Sequence, residues 1–162
     1  MGSFVSWVHH AGISDWITGW RWLWAICETI HFFGLALLIG VTGLLDLRLV
    51  GAMRRIPVAA IMDFMPWAIV GFTFNLVTGV IFFLGAPEQY VNNTAFYAKM
   101  LFILLAGVNA IYFQIVLFKK ARLIGPGEAA PLQAKIVALV SMGCWLLVMY
   151  CGRMLPFVGN AF

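Results

Sequence analysis

Four apolar stretches, at positions 20–45, 59–84, 96–118 and 132–154, leave this chain few folds to choose from. A helix rises about 1.5 Å per residue, so each stretch is long enough to cross roughly 30 Å of hydrocarbon. Lipid offers no hydrogen-bond partners, so the spanning backbone must pair within itself. The expectation is an all-α fold, a four-transmembrane-helix bundle. Pro57 and Pro131 stand just before the second and fourth stretches, where proline suits a helix start. Pro66 lies inside the second and predicts a kink. Gly85-Ala86-Pro87 and Gly125-Pro126-Gly127 break the chain after the second and third. Composition agrees. Charged residues make up 10% of the 162, against roughly 25% in a soluble domain, and the mean hydropathy is +0.99. A single integral membrane domain over residues 1–162 fills the length.

Lysine and arginine set the expected orientation. Arg48, Arg54 and Arg55 follow the first span, and Lys119, Lys120, Arg122 and Lys135 lie in the loop between the third and fourth or in the first turn of the fourth. The opposite side holds Arg21, Lys99 and Arg153. The excess places both basic loops in the cytoplasm and both termini in the periplasm. Residues 4–18 mix apolar and polar side chains and are expected to form a short interfacial segment. Residues 1–13 carry no basic segment and no long apolar run, so no cleavable signal is expected. The net charge of +4 is small, and no nucleic acid is expected as a partner. The expected partners are the lipid bilayer and further membrane chains, as a homo-oligomer or a larger complex. Cys27, Cys144 and Cys151 have neither disulfide nor metal-ligand spacing.

The chemistry sits on the first span. Glu28 and His31 lie one turn apart inside it, and ionisable groups in a membrane helix are costly enough to suggest a function. At about 100° per residue they share a stripe with Arg21, Trp24, Thr42 and Asp46, interrupted by Leu35 and Ile39. Asn75 on the second span, Lys99 on the third and Arg153 on the fourth are expected at comparable depth, completing a pocket in the outer half of the bundle. Tyr90, Asn92, Asn93 and Tyr97 are placed to lid it. Plainer readings stand beside this one. Glu28 and Lys99 make an ion pair that joins two helices, His31 is a hydrogen-bonded packing residue, and Lys99 and Arg153 snorkel to headgroups. Asp46 caps or pairs with Arg48 or Arg54, and Asp63 sits in the first turn of the second span. Met62, Met65, Met100, Met142, Met149 and Met154 pack rather than bind copper. His9 and His10 form an exposed pair.

Several chemistries fail on residue types. Glu28-x-x-His31 has the spacing of a carboxylate-bridged di-iron helix, but the other spans supply neither Glu nor His. Nucleophile elbows, phosphate loops and dinucleotide fingerprints are absent. A b-type haem needs an axial imidazole, small and aromatic walls, and cations for its propionates. His31 is the candidate metal ligand. Gly34, Gly71 and Gly79 would open a slot walled by Phe32, Phe33, Phe72, Phe74 and Trp67. Arg21, Lys99 and Arg153 would meet the propionates. One deep histidine leaves the second axial position to another residue or another chain.

The runs Glu28-Thr-Ile-His31-Phe-Phe-Gly34, Asp46-Leu-Arg48-Leu-Val-Gly51, Met65-Pro-Trp67-Ala-Ile-Val-Gly71-Phe72 and Asn93-Thr-Ala-Phe96-Tyr-Ala-Lys99 resemble a family of small four-helix bacterial inner-membrane proteins with no assigned activity. That family is distantly similar to CopD-type and cytochrome b561-type membrane proteins, which pack haem or handle metal between helices. The resemblance implies a multi-pass protein of the bacterial inner membrane. The leading expectation is a haem-binding or redox-associated subunit with no enzymatic activity of its own. The alternatives are an accessory or oligomerising protein, and a small transporter or proton pathway using Glu28 and His31.

Overall fold

The computed structural model describes residues 2–158, all helical apart from turns and loops. Two short helices, α1 (Gly2–His10) and α2 (Ile13–Gly19), precede the long α3 (Leu23–Val50). The second span comprises α4 (Val58–Met62) and α5 (Met65–Gly85). After the short α6 (Pro87–Val91), the third span runs from α7 (Thr94–Tyr112) through a π-helical turn at Phe113–Leu117 into α8 (Phe118–Arg122). The fourth span is α9 (Leu132–Val158). Four helical stretches are therefore long and apolar enough to cross a membrane, which is consistent with a multi-pass membrane protein.

Local chemistry sets several boundaries. Pro66 occupies the first turn of α5, where its missing N–H costs nothing, and the break falls upstream at Asp63 and Phe64. The proline ring would clash with a carbonyl four residues back, so the kink lands before it. That displacement corrects the expectation for Asp63, which ends α4 instead of starting the span. It pairs with Arg122 at 2.8 Å, with both side chains about half exposed, so the pair contributes little.

The long helices pack in the order α5, α3, α9, α7. The ends of α5 and α7 are bridged by aromatic rings, with Phe83 stacked on Phe96 at 5.6 Å. α2 closes the same end. The Ser14 hydroxyl donates to the Gly85 carbonyl at 2.8 Å, and Ile17 is buried against Gly85. Trp16, Trp20 and Trp22 crowd this end exposed.

The apolar core lies toward the opposite end, around Leu49, Val58, Leu117, Ala134 and Ala138. Arg48 is fully buried there. Its guanidinium donates to the carbonyls of Ile56, Gly125 (2.8 Å) and Glu128 (3.3 Å), tying both basic loops to α3. The Glu128 carboxylate accepts from the Gly125 N–H at 2.8 Å, and the Gly127 N–H donates to the Arg54 carbonyl at 2.7 Å. The rigid five-donor fork of arginine suits three acceptors at once. Asp46 does not pair with Arg48 or Arg54. Two residues along a helix is about 200° of rotation, which turns Asp46 toward α9, where it is buried against Ser141.

Candidate functional site

The site begins with a close helix crossing. A Cβ on Gly34 would stand 2.7 Å from the Gly71 carbonyl oxygen, and one on Gly71 would stand 2.5 Å from that of Gly34. Only glycine lets the α3 and α5 backbones approach this far. These two glycines are therefore spent on helix packing and do not open a ligand slot, contrary to the expectation. Asn75 lies in the same crossing. Its Nδ2 donates to the Gly71 carbonyl at 2.9 Å, while its Oδ1 is buried without a partner among the described residues.

One turn along, the crossing brings the Nδ1 of His31 within 2.7 Å of the Thr78 hydroxyl. Thr78 Oγ1 is also 2.7 Å from the Phe74 carbonyl. A carbonyl only accepts, and a hydroxyl has one proton to give. Thr78 therefore donates to Phe74 and accepts from His31 Nδ1–H. That assignment leaves the lone pair of His31 Nε2 available, the form in which a histidine binds metal. The half-buried ring rests on Phe82 at 5.7 Å, and Phe82 in turn packs on Trp24 at 4.9 Å.

Lys99 reaches inward from α7. Its Nζ would lie 3.7 Å from a Cβ on Gly152 of α9. It is only partly exposed, and it has neither an ion pair nor a hydrogen bond among the described residues. On α5, Gly79 has open space where a Cβ would stand, so it is the one expected slot glycine that remains free of helix packing.

Three expected members lie elsewhere. Glu28 is exposed on the flank of α3, with no ion pair to Lys99 or to any described residue. The cause is rotation: three residues along a helix turn about 300°, so Glu28 stands about 60° round α3 from His31, off the side that bonds to α5. Arg21 is exposed, with its guanidinium 5.6 Å from the Trp22 ring centre. Arg153 is exposed and lies 5.5 Å from the ring centre of Phe157. The structure thus joins His31 and Asn75 at the α3–α5 crossing, sets Lys99 against α9, and leaves Glu28, Arg21 and Arg153 on the surface.

The expected lid is structural as well. Asn93 is buried, its Oδ1 capping α7 by accepting from the Ala95 N–H at 2.9 Å while its Nδ2 donates to the Leu155 carbonyl at 2.8 Å. Tyr97 donates to the Val91 carbonyl at 2.6 Å. Tyr90 packs between Phe83 and Phe96, and burial pushes its phenol above the usual range. His10 is exposed; the side chain of His9 lies outside the described residues.

Thr78 and Phe82 were missed in sequence, although Gly71, Asn75, Thr78 and Phe82 recur at the four-three-four spacing of a single helix face. That stripe was the available signal. Among the described residues no three His, Cys, Asp or Glu side chains gather as a metal cluster.

No curated protein and no solved structure matched the chain, and no similarity to CopD-type or b561-type proteins emerged. One family profile does match, over residues 4–158, and on that match the chain belongs to a family of unknown function, DUF6644.

Proposed function

We propose that this is a haem-binding, redox-associated subunit of a bacterial inner membrane, with His31 as the axial ligand to haem b. The observation that supports the reading is the His31–Thr78–Phe74 relay, which holds the imidazole in one tautomer with Nε2 free. Lys99 supplies the second element, an inward-facing ammonium lacking a counterion of its own, suited to a propionate. Phe82 and the open side of Gly79 supply an aromatic wall and room beside it. Haem bound in this way would supply one-electron chemistry. The chain's own part is to orient the ligand nitrogen, balance the anionic edge and exclude water. This chain offers one such imidazole, so paired-histidine ligation would need a residue from another chain.

Haem titration into the detergent-purified protein tests this. The wild type is expected to take up one equivalent with a sharp Soret band. His31→Ala should lose the band, and free imidazole should restore part of it. Thr78→Val keeps the shape of the side chain but frees the ring, and should weaken affinity roughly 10–100-fold, as removing the partner of a metal-ligating histidine does. Titration curves identical for wild type and His31→Ala would end the proposal.

A second reading, an accessory protein that acts by associating with other chains, is favoured by Glu28. Its carboxylate is exposed with no ion pair among the described residues, and the same stretch of α3 carries a surface hollow lined by Ala25, Ile26, Thr29 and Ile30. Native mass spectrometry of Glu28→Gln tests it: a partner across the membrane would show as a change in oligomer size, and an unchanged monomer would remove it.

A further inference from the structure

A groove of about 130 Å³ runs between α3 and α9, well away from His31. Its walls are Ile39, Gly43 and Leu47 on one helix and Met142, Trp145 and Met149 on the other. Leu146, 59% exposed, borders it and marks the side open to the bilayer. The lining is apolar but for Thr42, whose hydroxyl donates to the Leu38 carbonyl at 2.7 Å, and Asp46. Asp46 lines the groove, is only 6% exposed, and has its Oδ2 buried without a hydrogen-bond partner among the described residues. The Ser141 hydroxyl lies against the same carboxyl from α9. Gly43 leaves the middle of the groove open, since nothing stands within 4 Å of where its Cβ would be.

Size and polarity together define what fits. An engineered apolar cavity of about 150 Å³ holds benzene, so this groove takes one six-membered ring and not a whole lipid. An unpaired buried carboxyl oxygen is costly, and an apolar ligand alone would leave it so. A ring hydroxyl resolves the mismatch in either protonation state of the carboxyl, because it can both donate and accept. The flat indole of Trp145 gives an aromatic ring a stacking partner. We propose that the groove binds the hydroxylated ring of a lipid-soluble phenol or quinol, which hydrogen-bonds Asp46 and enters from the bilayer past Leu146. Binding here does not depend on haem at His31.

Photolabelling in phosphatidylcholine nanodiscs tests this, using a diazirine-bearing phenol and its hydroxyl-free twin. The phenol should label the peptide containing residues 142–149 about fivefold more than the twin, the discrimination expected of one neutral hydrogen bond. Excess decyl-substituted benzoquinol should suppress that label. Gly43→Leu fills the groove and should abolish labelling by both probes. Asp46→Leu should make the two probes equivalent, and His31→Ala should leave the pattern unchanged. Equal labelling of the wild type by both probes, labelling confined to other peptides, or indifference to the quinol would overturn the proposal, whether or not the variants fold.

Discussion

Arg48 shows how far one side chain can organise a small membrane protein. It is a buried cation that donates to three carbonyls, contributed by two different loops. Hydrogen bonds to a charged group are worth roughly 1.5–3 kcal/mol each, and abandoned buried acceptors cost about 1–3 kcal/mol. Arg48→Leu should therefore destabilise the fold by about 3 kcal/mol or more, read as a lower midpoint in thermal unfolding in detergent. Arg48→Lys should recover only part of the loss, because a point-like ammonium cannot serve three acceptors in a fork. A leucine variant that melts with the wild type would show that the loops are held by their apolar neighbours instead. Tyr90 offers a pH readout at the other end. Its folded phenol titrates above the ordinary value because burial disfavours the phenolate. Its contribution to stability is thus present below the unfolded pKa, near 10, and is lost as pH rises through the higher folded value. Ultraviolet titration of wild type against Tyr90→Phe should show one late-ionising tyrosine missing from the variant.

Among the helices, the α3–α5 crossing does the positioning. Gly34 and Gly71 set the approach, and the His31–Thr78 bond follows from it one turn later. Gly71→Val puts a branched side chain where backbone and side-chain atoms already stand within 3 Å, and overpacking of this kind costs about 1–3 kcal/mol. It should lower the melting temperature and weaken haem uptake together. Gly79→Ala meets open space and replaces a poor helix former, so it should leave stability equal or up to about 1 kcal/mol higher. Equal effects at the two glycines would separate the crossing from the site. The spans themselves were legible in the sequence, because long apolar stretches in lipid have few alternatives to helix. The break before Pro66 was legible too, though displaced upstream by the clash of the ring with the preceding turn. Which helix faces which was not. A stripe on a wheel gives a direction around one axis and says nothing about its neighbour, so Glu28 and His31 read as partners although only His31 turns toward α5.

On the scale of the whole molecule, the two ends do different work. One end is dense, apolar and latched by Arg48; the other is aromatic, closed by α2, and carries the histidine and the inward-facing lysine. The candidate site was half readable from sequence. His31, Asn75 and Lys99 were marked by the cost of polar groups inside spans, and that cost applies wherever they point. Thr78 escaped because a threonine in a membrane helix can satisfy itself on the carbonyl four residues back, here Phe74, and so announces nothing. Glu28, Arg21 and Arg153 were misplaced because a position along a span does not say which way a side chain turns, and all three are exposed. The central claim, an imidazole held ready for haem, is tested most directly by the absorption spectrum of the protein purified from haem-replete cells beside that of His31→Ala. A Soret band that copurifies with the wild type and is absent from the variant is the predicted result. A wild type without the band, folded and unable to acquire it from added haem, would contradict the account.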